Sequence, residues 1–150
     1  MKIVEEFRKA LSRGGLHAAL KSLNQHASHR FTGVYRYDGD TLRNVALFDR
    51  WNPQLEVGED APMDQTFCAI IPSQGVALEV VKGPTDERFP WMHANPVVCY
   101  CGALLRDEGG QPWGTVCHFD TQPCEAATSH LPELLALAPM VYHSANRTPR

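Results

Sequence analysis

The chain has 150 residues, of which 43% are hydrophobic and 21% are charged, and its formal net charge is −3. This length suits a single domain that buries a core of its own. The small negative charge, with Lys and Arg scattered along the chain, argues against a nucleic-acid partner and against binding to an anionic membrane.

The sequence also indicates a compartment. It opens with a charged segment instead of a secretory leader, and it has no run of 18 apolar residues. The five cysteines are an odd number and are unevenly placed. We therefore expect a cytoplasmic protein whose thiols are reduced.

The N-terminal region predicts helices over residues 1–28. Ile3, Phe7 and Leu11 are spaced by four residues and would line one helical face. Gly14 and Gly15 should break the helix, after which the helical period resumes up to about residue 27.

Residues 30–120 predict a sheet and the loops of a pocket. Residues 31–37 alternate in polarity, Asp38-Gly39 suits a hairpin turn, and residues 42–48 follow as a partner strand. The polar stretch 49–64 predicts a long loop, residues 65–71 a short helix or turn, and residues 76–81 a third strand.

The remaining pattern completes an α+β fold. Residues 83–96 hold three prolines and predict irregular structure, and strands are expected at about 97–105 and 112–119. A helix is predicted over 129–146, where Pro132 suits a first turn and Pro139 should kink or shorten the helix. Hairpins imply antiparallel pairing, and the helices must cover the sheet.

Four short stretches follow one another over about 55 residues. Residues 67–69 read FCA, and residues 85–89 read TDERF before Asn95-Pro96. Residues 100–105 read YCGALL, and residues 114–120 read GTVCHFD. Together these stretches resemble the GAF family of small-molecule sensor domains, with the best match over residues 66–120. The family often has YAGAPL at residues 100–105, so Leu104 stands where a proline is usual.

This resemblance implies an antiparallel sheet of five or six strands, with helices on both faces and a pocket between the sheet and the irregular middle segment. It also implies a homodimer through the terminal helices. The 150 residues contain no recognisable output module, so a sensor of this kind is expected to act through a signalling protein partner.

The cysteines of the two late strands do not predict a metal site. Cys99 and Cys101 share one face of a strand, and the family pairing turns them toward the helical layer, whereas Cys117 faces the pocket. A zinc site needs three or four convergent ligands, and these thiols would be divided between two faces. Cys99 and Cys101 are more simply small buried core residues. We expect neither a metal nor a covalent chromophore.

Aromatic and sulfur side chains from separate segments predict the binding site of an unidentified small molecule, held non-covalently. Mostly apolar walls with a few polar groups suit such a site. A filled core with no cavity is the competing interpretation. The predicted ligand-binding residues are Phe67, Cys68, Trp91, Met92, His93, Tyr100, Trp113, Cys117 and Phe119.

The main enzymatic alternative is a thiol-dependent reductase of a small oxidised substrate, with Cys68 and Cys117 as the candidate thiols. Free methionine-R-sulfoxide reductases are stand-alone GAF proteins of similar length. Residues 91–95, where their attacking cysteine is expected, read WMHAN, and no carboxylate lies on the predicted pocket strands. A bilin on Cys117, a haem on His93 and a pure interaction module fit the pattern less well.

Overall fold

A computed structural model describes residues 1–125 and 129–148 of the chain. Its centre is a six-stranded antiparallel sheet with the strand order β3-β2-β1-β6-β5-β4. The fold is therefore α+β, as predicted. The strands are β1 Phe31–Asp38, β2 Thr41–Asp49, β3 Ala61–Pro62, β4 Ala77–Val80, β5 Cys99–Arg106 and β6 Pro112–Asp120.

Two long helices cover one face of the sheet, α1 (Lys2–Asn24) and α3 (Leu131–Ala145). The opposite face carries the short helix α2 (Ile71–Gln74) and three 3-10 turns, at Met63–Gln65, Gly83–Thr85 and Pro90–Met92. Helical structure thus lies on both faces. The division of the chain into three regions at residues 28 and 129 remains a prediction.

The alternation of side chains along the strands separates two apolar cores. On the helical face, Val34, Leu105 and Val116 pack against α1 and α3. On the other face, Tyr35, Tyr100 and Leu104 belong to a second cluster with Phe67, Ile71 and Met92. Successive residues of a strand point to opposite faces, so one sheet can support both cores.

The two helix-breaking signals have different outcomes. Gly15 has φ +83° and ψ −170°, so α1 is kinked there, as the glycine pair predicts. Pro139, in contrast, lies inside α3 and does not end it, because the helix continues to Ala145. Pro139 is on the exposed side of α3, where water can satisfy the carbonyl group that loses its partner.

The edges of the sheet are short. Strand β3, at one edge, has two residues and contains Pro62. Strand β4, at the other, has four residues, and the Arg88 guanidinium donates a hydrogen bond to the backbone oxygen of Glu79 at 2.8 Å. Strand β3 lies within the predicted loop 49–64, where the sequence pattern did not indicate a strand.

None of the helices within the described residues is both long enough and apolar enough to cross a membrane.

Candidate ligand cavity

A cavity of about 570 Å³ lies on the face of the sheet opposite the two long helices. Its floor is formed by side chains of β1, β5 and β6, including Tyr35, Tyr100 and Cys117. Residues 65–68 and 95–97 form one wall, and the segment 55–61 forms another. The volume is in the range of small-molecule sites.

The wall at residues 55–61 is fastened to β2 by hydrogen bonds. The Asn44 side-chain oxygen accepts a bond from the backbone N–H of Gly58 at 2.8 Å, and the Asp60 carboxylate accepts one from the N–H of Asn44 at 2.9 Å. The N–H of Leu47 donates to the oxygen of Glu56 at 2.8 Å. Asn44 is fully buried, so these bonds give the wall a defined position.

The Cys68 thiol lies at the base of the cavity among hydrogen-bonding groups. The Thr115 hydroxyl donates to its sulfur at 3.1 Å, and the Tyr100 hydroxyl lies 3.0 Å from the same sulfur. Burial alone raises the pKa of this thiol, but hydrogen bonds from Cys117, Thr115 and Tyr100 outweigh burial and lower the pKa below its ordinary value.

The neighbouring groups hold their protons. Burial raises the pKa of Cys117 well above its ordinary value, and its hydrogen bond to Cys68 raises it further. Burial also raises the pKa of Tyr100 well above its ordinary value, with the adjacent cysteines adding to the effect. The first proton therefore leaves Cys68, and Cys117 and Tyr100 remain hydrogen-bond donors to its sulfur.

The structure brings five of the nine predicted site residues to the cavity: Phe67, Cys68, Tyr100, Cys117 and Phe119. Whether they bind a ligand remains a prediction. The other four lie outside the cavity lining, in two groups.

Three of these are in the irregular segment near Pro90. The Trp91 side chain is 65% exposed and lies edge-on to Phe89. Met92 is buried in the second apolar cluster, and His93 donates through Nε2 to the backbone oxygen of Asp86 at 2.6 Å. These three residues lie in or directly after the 3-10 turn at Pro90–Met92 and do not line the cavity, which the sequence pattern could not show.

Trp113 faces the helices instead of the pocket. Its ring packs edge-on against Tyr142 of α3, with the centroids 5.3 Å apart. The register of β5 and β6 shifts between Leu105 and Arg106, whose partners are Gly114 and Pro112, so Trp113 is the extra residue of a bulge. Simple alternation along the strand fails at such a residue, and the pocket-facing prediction was wrong.

The sequence analysis missed the part of the cavity supplied by the predicted loop 49–64. Glu59 and Asp60 bring carboxylates to the lining, and Leu55 and Ala61 bring apolar surface. The predicted absence of carboxylates holds for the strand faces but not for the cavity as a whole. The apolar residues Leu55 and Val57 on either side of Glu56 were the available signal.

A comparison with protein-family models gave no match, and none was found among curated proteins. Solved structures do match. The GAF domain of an Acinetobacter phosphoenolpyruvate-protein phosphotransferase has a TM-score of 0.71 at 9% identity, over 97% of this chain and 91% of that one. The chain has a GAF-like fold.

Other structures with this fold have different activities. A free methionine-R-sulfoxide reductase from Neisseria meningitidis, solved with its substrate, has a TM-score of 0.68 at 12% identity, over 98% of this chain and 90% of that one. The phycocyanobilin-bound GAF domain of a cyanobacterial phytochrome has a TM-score of 0.64 at 13% identity, over 97% and 91%. At these identities the likeness concerns the GAF-like fold alone.

On the helical side of the GAF-like sheet, the structure corrects the expectation that all thiols are reduced. Cys99 and Cys124 form a disulfide, and Cys68, Cys101 and Cys117 are free. Cys101 lies in the core beneath the helices, as predicted. The five cysteines thus form one disulfide and leave three free thiols. The sequence pattern did not indicate a role for Cys124, which lies outside the predicted strands.

Proposed function

We propose that this GAF-like chain binds a small, mainly apolar molecule non-covalently in the cavity on the β1-β6-β5 face. The observation that carries the proposal is the cavity itself, about 570 Å³ in volume, with apolar walls and the polar groups of Cys68 and Tyr100 at its base. Apolar surface supplies affinity in such a site, and a few fixed polar groups orient the ligand.

Mass spectrometry of the protein purified from expressing cells tests this proposal. Extra mass that is present under native conditions and lost on denaturation identifies a non-covalent ligand. The protein should then lose affinity for that ligand by about tenfold or more in Tyr100→Ala, since each 1.4 kcal/mol of lost contact energy is a factor of ten. Trp113→Ala is the matched control, because that aromatic residue lies on the opposite face.

Equal affinities in wild-type, Tyr100→Ala and Trp113→Ala proteins would contradict binding in this cavity. Extra mass that survives denaturation would contradict the non-covalent part of the proposal.

Signalling would follow from two conformations with different affinities for the ligand. The wall at residues 55–61 is the segment that would close over the ligand, and α1 and α3 are the surfaces that would meet in a homodimer or contact a partner protein. Leu135 of α3 is 38% exposed and offers apolar surface for such a contact. The oligomeric state in solution, measured by sedimentation with and without ligand, tests this part.

A thiol-dependent reductase is the second candidate, and the Cys68 site is the specific observation in its favour. A thiol with a lowered pKa, beside a second thiol that keeps its proton, is suited to attack an oxidised sulfur. Turnover of free methionine sulfoxide with a dithiol reductant, abolished in Cys68→Ser, would establish this activity. Binding of that compound without turnover would favour the sensor.

A further inference from the structure

A cluster of possible metal ligands lies on the helical side of the sheet, away from the cavity. Cys99 is the first residue of β5, Cys124 follows the end of β6, and His29 precedes β1. The His29 Nε2 atom lies 3.2 Å from the Cys99 sulfur. One ligand atom from each of the three residues lies within 4.8 Å of the others.

His29 is built into the protein in a form that can bind a metal. Its side chain is 4% exposed, and among the described residues its Nδ1 atom has no hydrogen-bond partner. The Nε2 atom faces the Cys99 sulfur and is the nitrogen that would bind the metal.

Two further imidazoles and a carboxylate surround this cluster. The His118 and His130 rings have their centroids 5.6 Å and 6.1 Å from that of His29. Asp120 is the cross-strand partner of Cys99, and its charge acts on His29. A divalent cation bound here would have negative charge beside it.

We propose that Cys99, Cys124 and His29 bind a Zn²⁺-type cation when the Cys99–Cys124 disulfide is reduced. Two thiolates and an imidazole are the ligand set that favours zinc among the common divalent cations. Three protein ligands leave one tetrahedral position for water. This proposal is independent of any ligand in the cavity, because the site lies on the other face of the sheet.

The chemistry balances with a small thiol as the reductant. Two molecules of that thiol transfer two electrons to the Cys99–Cys124 bond, which opens to two thiols, while the small thiol becomes its own disulfide. Binding of Zn²⁺ then releases one proton from each cysteine. Sulfurs that each lie about 2.3 Å from one tetrahedral ion are about 3.8 Å apart, so reduction must precede binding.

Cobalt(II) is the probe for this site. The full-length protein is reduced with a phosphine, desalted without oxygen and titrated with Co²⁺. We expect one Co²⁺ per chain with a thiolate-to-cobalt charge-transfer band and the intense visible bands of a tetrahedral site, both removed by added Zn²⁺. The oxidised protein should give neither band. A reduced wild-type protein without the thiolate band would overturn the proposal.

Variants identify which thiols bind the metal. Cys124→Ser removes a ligand outside the regular secondary structure and should lower Co²⁺ affinity by at least about tenfold. Even the loss of a group that only hydrogen-bonds to a metal ligand lowers metal affinity by about that factor. The double variant Cys68→Ser/Cys117→Ser removes both cavity thiols and is the matched control, with unchanged bands expected. The reverse pattern, with bands kept in Cys124→Ser and lost in the double variant, would contradict the assignment.

Discussion

Three hydrogen-bonding neighbours surround the Cys68 sulfur in a cavity that is otherwise mainly apolar. Thr115→Val removes the hydroxyl that donates to this sulfur at 3.1 Å and keeps the shape of the side chain. A hydrogen bond to a charged group contributes about 1.5 kcal/mol, so the acid dissociation constant of the Cys68 thiol, and with it the thiolate fraction at a pH below the pKa, should fall about tenfold. The alkylation rate of Cys68 by iodoacetamide, followed by mass spectrometry of its peptide, should fall equally.

Thr41→Val is the control for this measurement, because it makes the same chemical change at the start of β2, where the hydroxyl donates to Asp40 instead. An unchanged pH dependence of Cys68 alkylation in Thr115→Val would show that the hydroxyl does not stabilise the thiolate.

A second prediction concerns Asp49 and its pair with Arg30. The guanidinium donates two hydrogen bonds to the carboxylate, at 2.8 Å and 2.9 Å, and lies over the rings of Phe31 and Trp51. Burial raises the pKa of Asp49, but the hydrogen bonds from Arg30 and from the N–H of Trp51 outweigh burial and lower the pKa. The unfolded chain therefore takes up this proton at a higher pH than the folded one.

The stability from this pair is thus present above the ordinary carboxyl pKa near 4 and is lost as the pH falls through the lower pKa of the folded state. Asp49→Asn should cost about 1–3 kcal/mol in the free energy of unfolding at pH 7, measured by urea denaturation, and less at pH 3. Asp38→Asn, at a half-exposed ion pair with Arg43, should leave the free energy of unfolding nearly unchanged, because solvent screens that pair. Equal losses for Asp49→Asn at both pH values would contradict this account.

At the scale of single elements, the break in α1 depends on one glycine. Gly15 has φ +83°, and a Cβ atom added there would meet no atom within 4 Å, so only the backbone conformation resists substitution. Gly15→Ala should therefore lower the free energy of unfolding by about 1–2 kcal/mol, measured by urea denaturation.

Gly109→Ala is the control for Gly15→Ala. Its added Cβ would have only an ordinary contact, at 3.4 Å from Asp107, and its φ is outside the left-handed region. If the two variants were equally stable, the kink at Gly15 would not be fixed by backbone conformation.

The element scale also explains which site residues the sequence could predict. Tyr100, Cys117 and Phe119 follow from alternation along β5 and β6, and Phe67 and Cys68 follow from the FCA stretch. Trp113 could not be placed, because a bulge is a local event that depends on the partner strand. Trp91 and Met92 lie in a 3-10 turn and His93 directly follows it, and side-chain direction there has no period that a short sequence reveals.

At the scale of the whole molecule, hydrophobic periodicity was sufficient for the α+β fold class, whereas the strand count and the pocket were expected from the resemblance to GAF domains. The periodicity predicted both hairpins, the kinked N-terminal helix and the helix after residue 129, because these elements bury one face each and their apolar residues repeat accordingly. Hydrophobic periodicity could not predict which distant segments of the chain come into contact. The Cys99–Cys124 bridge and the segment 55–61 over the cavity depend on where distant segments meet.

The short edges of the sheet have a consequence for concentrated protein. An exposed, long and regular edge strand invites another chain to extend the sheet, which is a common route to aggregation. Here β3 has only two residues, and one of them is a proline, which has no N–H to donate. On β4 the backbone oxygen of Glu79 already accepts a hydrogen bond from the Arg88 guanidinium. We therefore expect any self-association of this protein to proceed between helices and to leave its strands unjoined.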